Sequence, residues 1–448
     1  MGAIAPASAQ SGHAISVQIK NFKDTTLYLG NYYGTQTYVV DSTHIDAQGK
    51  AVFGGKEKLP GGIYFILLPG KTNYFEILLD KQQHFDIVAD TTGHFRDISF
   101  KGSEDNTLFY QYNHFLQAQG NRKDSARRVG ADSAALRSMD QQIGTAIRQY
   151  REKFIQQHPA LLLSAIFRAM EDPQIPAQLQ AKEDSAQAYH YFKDHYWGHL
   201  SLNDSRLLRT PVLETRLQRY FTQLVPPQAD SINKEADLLL ARAGADKEVF
   251  KFVLWWLTHT YEASPYMGMD AVFVHLVEQY YMTGKAYWLS KDQTQKVVQR
   301  AAEIAPNLIG NKAPALPLTT MDSSRTSLDD IKAKYTLLVF WDPTCGHCIL
   351  EVPRLDSAYH ASWKKMGVAM VGVKVGGTAG QWKSFIADHH LQDWIHAWEP
   401  DPQTNYRQLY DVYMTPVIYL LDEKKTILAK RLGVQELDGF LKHLQQGS

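Results

Sequence analysis

Only two cysteines occur in these 448 residues, Cys345 and Cys348, and they stand as Cys-Gly-His-Cys directly after the apolar run Thr336 to Trp341. Random placement of two cysteines would give this spacing about once in two hundred trials, so a paired role is the economical reading. Residues i and i+3 of a first helical turn bring two sulfurs within bonding distance. The free N–H groups and the dipole of a helix N-terminus favour a thiolate on the first of them. The pattern therefore predicts a buried strand, a short turn and a helix that begins at a dithiol, with Cys345 attacking and Cys348 resolving. The main alternative, a structural disulfide, would close a loop too short to restrict the unfolded chain much. A zinc site needs about four ligands, and with no second cysteine pair only His or Asp could complete it.

The neighbours of the pair make the pattern more specific. Leu337-Leu338-Val339-Phe340-Trp341-Asp342-Pro343-Thr344-Cys345-Gly346-His347-Cys348-Ile349-Leu350-Glu351-Val352-Pro353 is followed about seventy residues later by Met414-Thr415-Pro416-Val417-Ile418-Tyr419-Leu420-Leu421-Asp422. Together these segments resemble the thioredoxin fold, and within it the TlpA/ResA-like branch of extracytoplasmic thiol-disulfide oxidoreductases. The resemblance runs from Ile309 to the C-terminus and includes Gly310-Asn311-Lys312-Ala313-Pro314 and Ser327-Leu328. It implies that Cys345 is the exposed nucleophile and Cys348 the shielded resolving thiol. Thr415-Pro416 would be a cis-proline loop facing the pair, with the Thr415 backbone free to pair with an extended substrate segment. The resemblance further implies that Pro353 kinks the active-site helix, that Trp341 packs under the site and that Glu351 controls the buried thiol. The bland reading of Glu351 is a solvated helix carboxylate.

Two positions point to departures from ordinary thioredoxins. The strand position that holds a buried acid in cytoplasmic thioredoxins is Val339 here, so protons for Cys348 would have to come through Glu351 or water. Between the cysteines lie Gly346 and His347, and a His there stabilises the thiolate and makes the disulfide a better oxidant. Protein disulfide isomerases share Cys-Gly-His-Cys, with a potential about 90 mV above that of thioredoxin, or roughly 4 kcal/mol for two electrons. An intermediate potential is the expectation. The implied reaction is thiol-disulfide exchange on protein clients, supplied by a thiol electron donor or acceptor. It needs no cofactor or metal beyond a redox-active Cys345–Cys348 disulfide.

Composition sets the setting. With 47 basic and 47 acidic residues the chain has no general attraction for nucleic acid. Apolar runs such as Val249 to Leu257 are too short to cross a bilayer. The Ala-x-Ala character of Ala3 to Gln10 suggests the remnant of a trimmed signal peptide, or a disordered tail, over residues 1–12, and hence a periplasmic or otherwise extracytoplasmic protein.

The expected architecture has several domains. Residues 13–103 form an antiparallel β module, with strands at Ala14 to Ile19, Thr26 to Gly34, Thr37 to Asp41, Ile63 to Leu68, Tyr74 to Leu79 and Phe85 to Ala89. Leu59-Pro60-Gly61-Gly62-Ile63-Tyr64-Phe65 resembles an uncharacterised β-rich module of Bacteroidota proteins. Tyr32, Tyr33 and Tyr38 are packing residues or a binding face. Residues 104–305 form an all-α module, in which Leu136, Met139, Ile143, Ile147 and Phe154 make an amphipathic stripe. It too resembles a module found in such chains, between β and thioredoxin-like domains. His195 and His199, at i and i+4, offer a weak metal face, with His190 nearby. Arg122-Lys123 and Arg127-Arg128 read as a solvated loop. Residues 306–448 form the α/β thioredoxin-like domain. A binding or scaffold protein whose dithiol serves as a redox switch is the competing function. A peroxide reductase fits less well, because such folds place their reactive cysteine without a second one three residues on.

Overall fold

A computed structural model describes residues 12–20, 22–69, 73–90, 98–180, 185–399 and 405–446. The leader-like segment ahead of Gly12, and with it the signal-peptide reading, lies outside the described residues. The chain divides into two compact units, one of residues 1–226 with 239–252 and one of residues 227–238 with 253–448.

The first unit begins with eight strands: β1 (His13–Lys20), β2 (Thr25–Tyr33), β3 (Gln36–Ile45), β4 (Lys50–Gly55), β5 (Gly62–Leu67), β6 (Tyr74–Leu79), β7 (His84–Asp90) and β8 (Ile98–Lys101). They form two four-stranded sheets, ordered β4-β1-β7-β8 and β3-β2-β5-β6. Alternate residues of both sheets, among them Ile15, Val17, Leu27, Leu29, Phe53, Ile66, Ile77 and Ile87, share one core, as the two-residue period of a strand requires. The module is not purely antiparallel: β1 and β7 run parallel. Two strands, β4 and β8, are absent from the sequence-based expectation. β4 alternates only from Lys50 to Phe53 before Gly54-Gly55, and β8 has four residues, so each offers a run too short to stand out.

The Pro60-Gly61-Gly62 turn has a packing cause. A Cβ at Gly62 would lie 2.2 Å from the Cβ of Arg209, and one at Gly61 2.8 Å from Cγ of Arg206. Arg206 in turn pairs with Asp80 at 2.6 Å and with Asp204 at 2.6 Å. Tyr32 donates to Glu76 at 2.8 Å and packs edge-on against Phe65, while Tyr33 packs on Phe252. Tyr38 is exposed.

Long helices Glu104–Arg128 and Ser133–Gln157 follow. The basic cluster at 122–128 therefore lies on a helix and not in a loop, with Lys123 paired to Asp140 at 2.5 Å. Of the stripe on Ser133–Gln157 only Phe154 is buried; Leu136, Met139, Ile143 and Ile147 are half-buried. The helix Ser185–His195 stops at His195, so His195 and His199 do not share a helical face. His195 Nδ1 meets the Tyr191 carbonyl at 2.8 Å, and His199 faces Glu171 at 3.8 Å.

The start of Glu104–Arg128 is tied to the β module by buried polar groups. Asn106 accepts from the Leu78 N–H at 2.7 Å and donates to the Leu78 carbonyl at 2.8 Å, completing the open edge of β6. Its neighbour Asp105 is buried, and its Oδ1 has no hydrogen-bond partner. Burial, then the charges of Asp80 and Glu104, push its carboxyl up to about 6. A carboxyl raised in the folded state stabilises the protein below its unfolded value of 3.8, and that contribution is lost as pH rises through about 6. Asp105→Asn is therefore expected to raise stability at pH 7.5 by up to about 3 kcal/mol and to change little at pH 4. Thermal unfolding at the two pH values measures this; an equal effect at both would contradict it.

The second unit contains Asp270–Leu276 and Lys291–Ile304 and then an α/β region. Its strands are β9 (Pro317–Thr320), β10 (Arg325–Ser327), β11 (Tyr335–Trp341), β12 (Val368–Lys374), β13 (Ile395–Trp398), β14 (Val417–Asp422) and β15 (Ile427–Lys430). They form one sheet in the order β10-β9-β13-β12-β11-β14-β15. β11 runs parallel to β12 and antiparallel to β14. All seven of its residues are buried. Leu337, Val339 and Trp341 face a core shared with helices Gly346–Ala361, Ala379–Asp388 and Val434–Gln446, while Leu338 and Phe340 face a second core with Tyr410 and Tyr419. A strand covered on both faces reads as a continuous apolar run, the pattern that Leu337 to Trp341 shows in the sequence. The β-rich, helical and α/β regions follow one another as the sequence implies.

Candidate dithiol site

β11 ends at Trp341, and the chain turns through Asp342-Pro343-Thr344 into the helix Gly346–Ala361, whose N-cap is Cys345. Asp342 closes this turn. Its Oδ1 accepts from the Thr344 N–H at 2.8 Å and from the Thr344 hydroxyl at 2.7 Å, and its carbonyl accepts from the Cys345 N–H at 3.1 Å. Gly376 and Gly377, just after β12, lie against the turn. A Cβ at Gly376 would sit 1.9 Å from Asp342 Oδ2, and Gly377, at φ +67°, would bring one within 2.8 Å of Pro343. Only glycine permits that approach. Neither Asp342 nor the glycine pair stood out in the sequence, although Asp-Pro-Thr is the signature of an Asx turn.

Both cysteines are free thiols. Cys348 is fully buried among Trp341, Val352 and Leu355, with the Asp342 N–H 3.5 Å from its sulfur. Burial pushes its thiol up to about 11, against the opposing pull of that N–H. Cys345 is half-buried, and its thiol donates to the Thr415 carbonyl at 3.4 Å. The Thr415–Pro416 peptide is cis. The Cys345 thiol is held below its ordinary value, first by the Thr415 side chain and then by the N–H groups of Cys348 and His347 in the first helical turn. The carbonyl contact by itself favours the protonated thiol. The donors aimed at the sulfur outweigh it, as expected at a helix N-terminus.

The remaining candidates group around this pair. Trp341 is wholly buried and packs against Phe385 and His396. His396 is also buried, and desolvation drives its imidazole down to about 4, so it is neutral at pH 7. Val339 is buried beside Gly372 and Ile418, leaving an apolar side chain at that strand position. Pro353 lies within the helix. Gly346 has open space where a Cβ would be, and the His347 side chain is exposed. It is the backbone N–H of His347 that acts on Cys345. Glu351 Oε1 accepts from the Val434 N–H at 3.4 Å and Oε2 pairs with Arg354 at 3.5 Å. It is not among the main influences on Cys348. Instead it lines an open groove with Met414, Pro416, Ile418 and Leu432. Exposed Ile349, Leu350, Tyr413 and Met414 add apolar surface on the helix start and the proline loop, the kind of patch that marks a protein contact.

The glycine pair supplies a test of the turn. Gly376→Ala is expected to push Asp342 off Thr344 and cost about 1–3 kcal/mol, the scale of a lost charged hydrogen bond. The same variant should slow alkylation of Cys345 in the folded, reduced protein. Unfolding curves and timed alkylation measure both; wild-type values in the two assays would contradict this role for the turn.

Comparison with known proteins places this geometry. Residues 309–430 match the AhpC/TSA family, residues 13–109 a domain of unknown function designated DUF4369, and residues 136–307 another designated DUF5106. The chain is similar to the thiol-disulfide oxidoreductase ResA of Bacillus cereus, 27% identical over 139 residues that cover 30% of this chain and 78% of that one. It is also similar to the thioredoxin-like protein YneN of Bacillus subtilis, 29% identical over 125 residues covering 28% of this chain and 71% of that one. A thioredoxin-like protein from Bacteroides caccae shares the fold, with a TM-score of 0.50 at 21% identity over 61% of this chain and 97% of its own.

Proposed function

We propose, from the premise that residues 309–430 form an AhpC/TSA thioredoxin-like domain homologous to the ResA oxidoreductases, that this chain exchanges thiols and disulfides with protein clients through Cys345 and Cys348. The observation that carries the proposal is the division between the two sulfurs. One is accessible, favoured as a thiolate and set against Thr415 and cis-Pro416; the other is buried and held protonated. Attack requires a thiolate with access.

In the reducing direction the Cys345 thiolate attacks one sulfur of a client disulfide, and that S–S bond breaks as a mixed disulfide forms. The departing client thiolate takes up a proton. Cys348 then loses its proton, and its thiolate attacks Cys345 Sγ, releasing the second client thiol and leaving a Cys345–Cys348 disulfide that carries the two electrons' worth of oxidation. A thiol donor restores the dithiol; the reverse sequence oxidises a client. No further cofactor enters. Gly346 leaves room for the client above the first turn, and Trp341 and Pro353 fix the floor and the helix. With Val339 apolar, Glu351 is the proton carrier proposed for Cys348, three residues on along the same helix. The His347 N–H and imidazole together favour an intermediate potential. An extracytoplasmic setting belongs to the same proposal, resting on the Ala-x-Ala segment and on the branch that the domain resembles. Among the described residues no helix is long and apolar enough to cross a membrane.

Cys348→Ala cannot resolve its mixed disulfide and is expected to trap client proteins covalently, released by reductant, while Cys345→Ala traps none. Capture by neither variant, with no reduction of insulin disulfides by the native protein, would overturn the enzyme reading in favour of a redox-switched scaffold. For Glu351→Gln, the expected outcome is slower turnover with the fold and the Cys348 titration retained. An unchanged rate would leave water as the proton carrier.

A further inference from the structure

The loop that carries Thr415 and Pro416 is held by more than its own sheet. Asp411, four residues before Thr415, has a left-handed backbone (φ 50°) and a side chain that is 5% exposed. Two arginines meet its carboxylate. Arg300, from the helix Lys291–Ile304, donates Nη1 to Oδ1 at 2.5 Å and Nη2 to Oδ2 at 3.3 Å. Arg431, itself left-handed at φ 57° and placed just after β15, donates to Oδ2. A second link runs from the same helix to the same loop: the Tyr413 hydroxyl donates to Glu303 Oε2 at 2.9 Å, and Glu303 lies 3.6 Å from Arg300. A third joins Asn307 Nδ2 to the Leu409 carbonyl at 2.6 Å. Arg300 also lines the groove beside Pro416.

A forked guanidinium on a buried carboxylate fixes geometry as well as charge, and non-glycine residues in the left-handed region persist where their surroundings hold them and cluster at functional sites. We propose that Arg300, outside the segment that matches the AhpC/TSA family, is a positioning residue for the Cys345 site: through Asp411 it holds the 411–416 loop in register, so that Thr415 meets the nucleophilic sulfur. The end of the helical region is then part of the active site. This rests on the thiol-exchange reading above.

The test uses the full-length chain and follows the pH dependence of Cys345 alkylation, resolved by mass spectrometry, together with kcat and KM for insulin reduction. In Arg300→Gln the Thr415 side chain, the largest influence holding the Cys345 thiol down, loses its fixed place, so the apparent pKa of Cys345 should rise and its alkylation at pH 6.5 should slow roughly three- to tenfold. Arg300→Lys keeps the charge but not the fork and should restore less than half of the loss. Tyr413→Phe leaves every charge in place and should shift the profile in the same direction by a smaller amount. A wild-type pH profile in Arg300→Gln, whatever its thermal stability, would overturn the proposal. If Arg300→Gln does not fold, Tyr413→Phe decides, and an unchanged profile there would overturn it. The two readings fail separately: a wild-type protein that exchanges no thiols removes both, whereas an active wild type with unaffected variants removes only the role of Arg300.

Discussion

Strand β11 is the constraint on which the rest of the α/β unit depends. Its seven residues are buried on both faces, with alternate side chains committed to two separate cores. Each such side chain contributes about 1.5–3 kcal/mol by leaving water, and a one-residue slip would exchange the two faces. That rigidity passes to the point where the strand ends. Trp341 is locked by its packing, Asp342 closes the turn, and Cys345 arrives as the cap of a helix whose first N–H groups face its sulfur.

The difference between the two thiols follows from that placement without any unusual residue. Three positions along a helical turn carry the chain from its N-cap edge to its inner face, so one sulfur lies at the opening and the other in the core. Desolvation raises the inner thiol, while donors at the helix start and from Thr415 favour the outer thiolate. No cation is needed for the outer effect. The His347 side chain is exposed, and its backbone N–H adds to the larger effects of the Thr415 side chain and the Cys348 N–H.

Much of this was legible in the sequence because it depends on local pattern. The run Leu337 to Trp341, the Cys-x-x-Cys spacing and Thr415-Pro416 are short signals with one structural meaning each. What escaped depends on contacts distant in sequence. Gly376 is ordinary until Asp342 lies against it, and Asp411 is an unremarked acid until Arg300 and Arg431 converge on it. The parallel β1–β7 pair was hidden for the same reason, since pairing direction is set across the sheet. The basic cluster at 122–128 reads as a loop because its run of charges obscures the helix Glu104–Arg128 on which it lies.

Cys345 and Cys348 have opposite environments. Thiolate absorbance of the reduced protein, followed from pH 5 to 12, tests this directly. Two separated steps are expected, the first below the ordinary thiol range and lost in Cys345→Ser, the second near 11 and lost in Cys348→Ser. A single step at an ordinary thiol pKa, or a low step that survives Cys345→Ser, would contradict it.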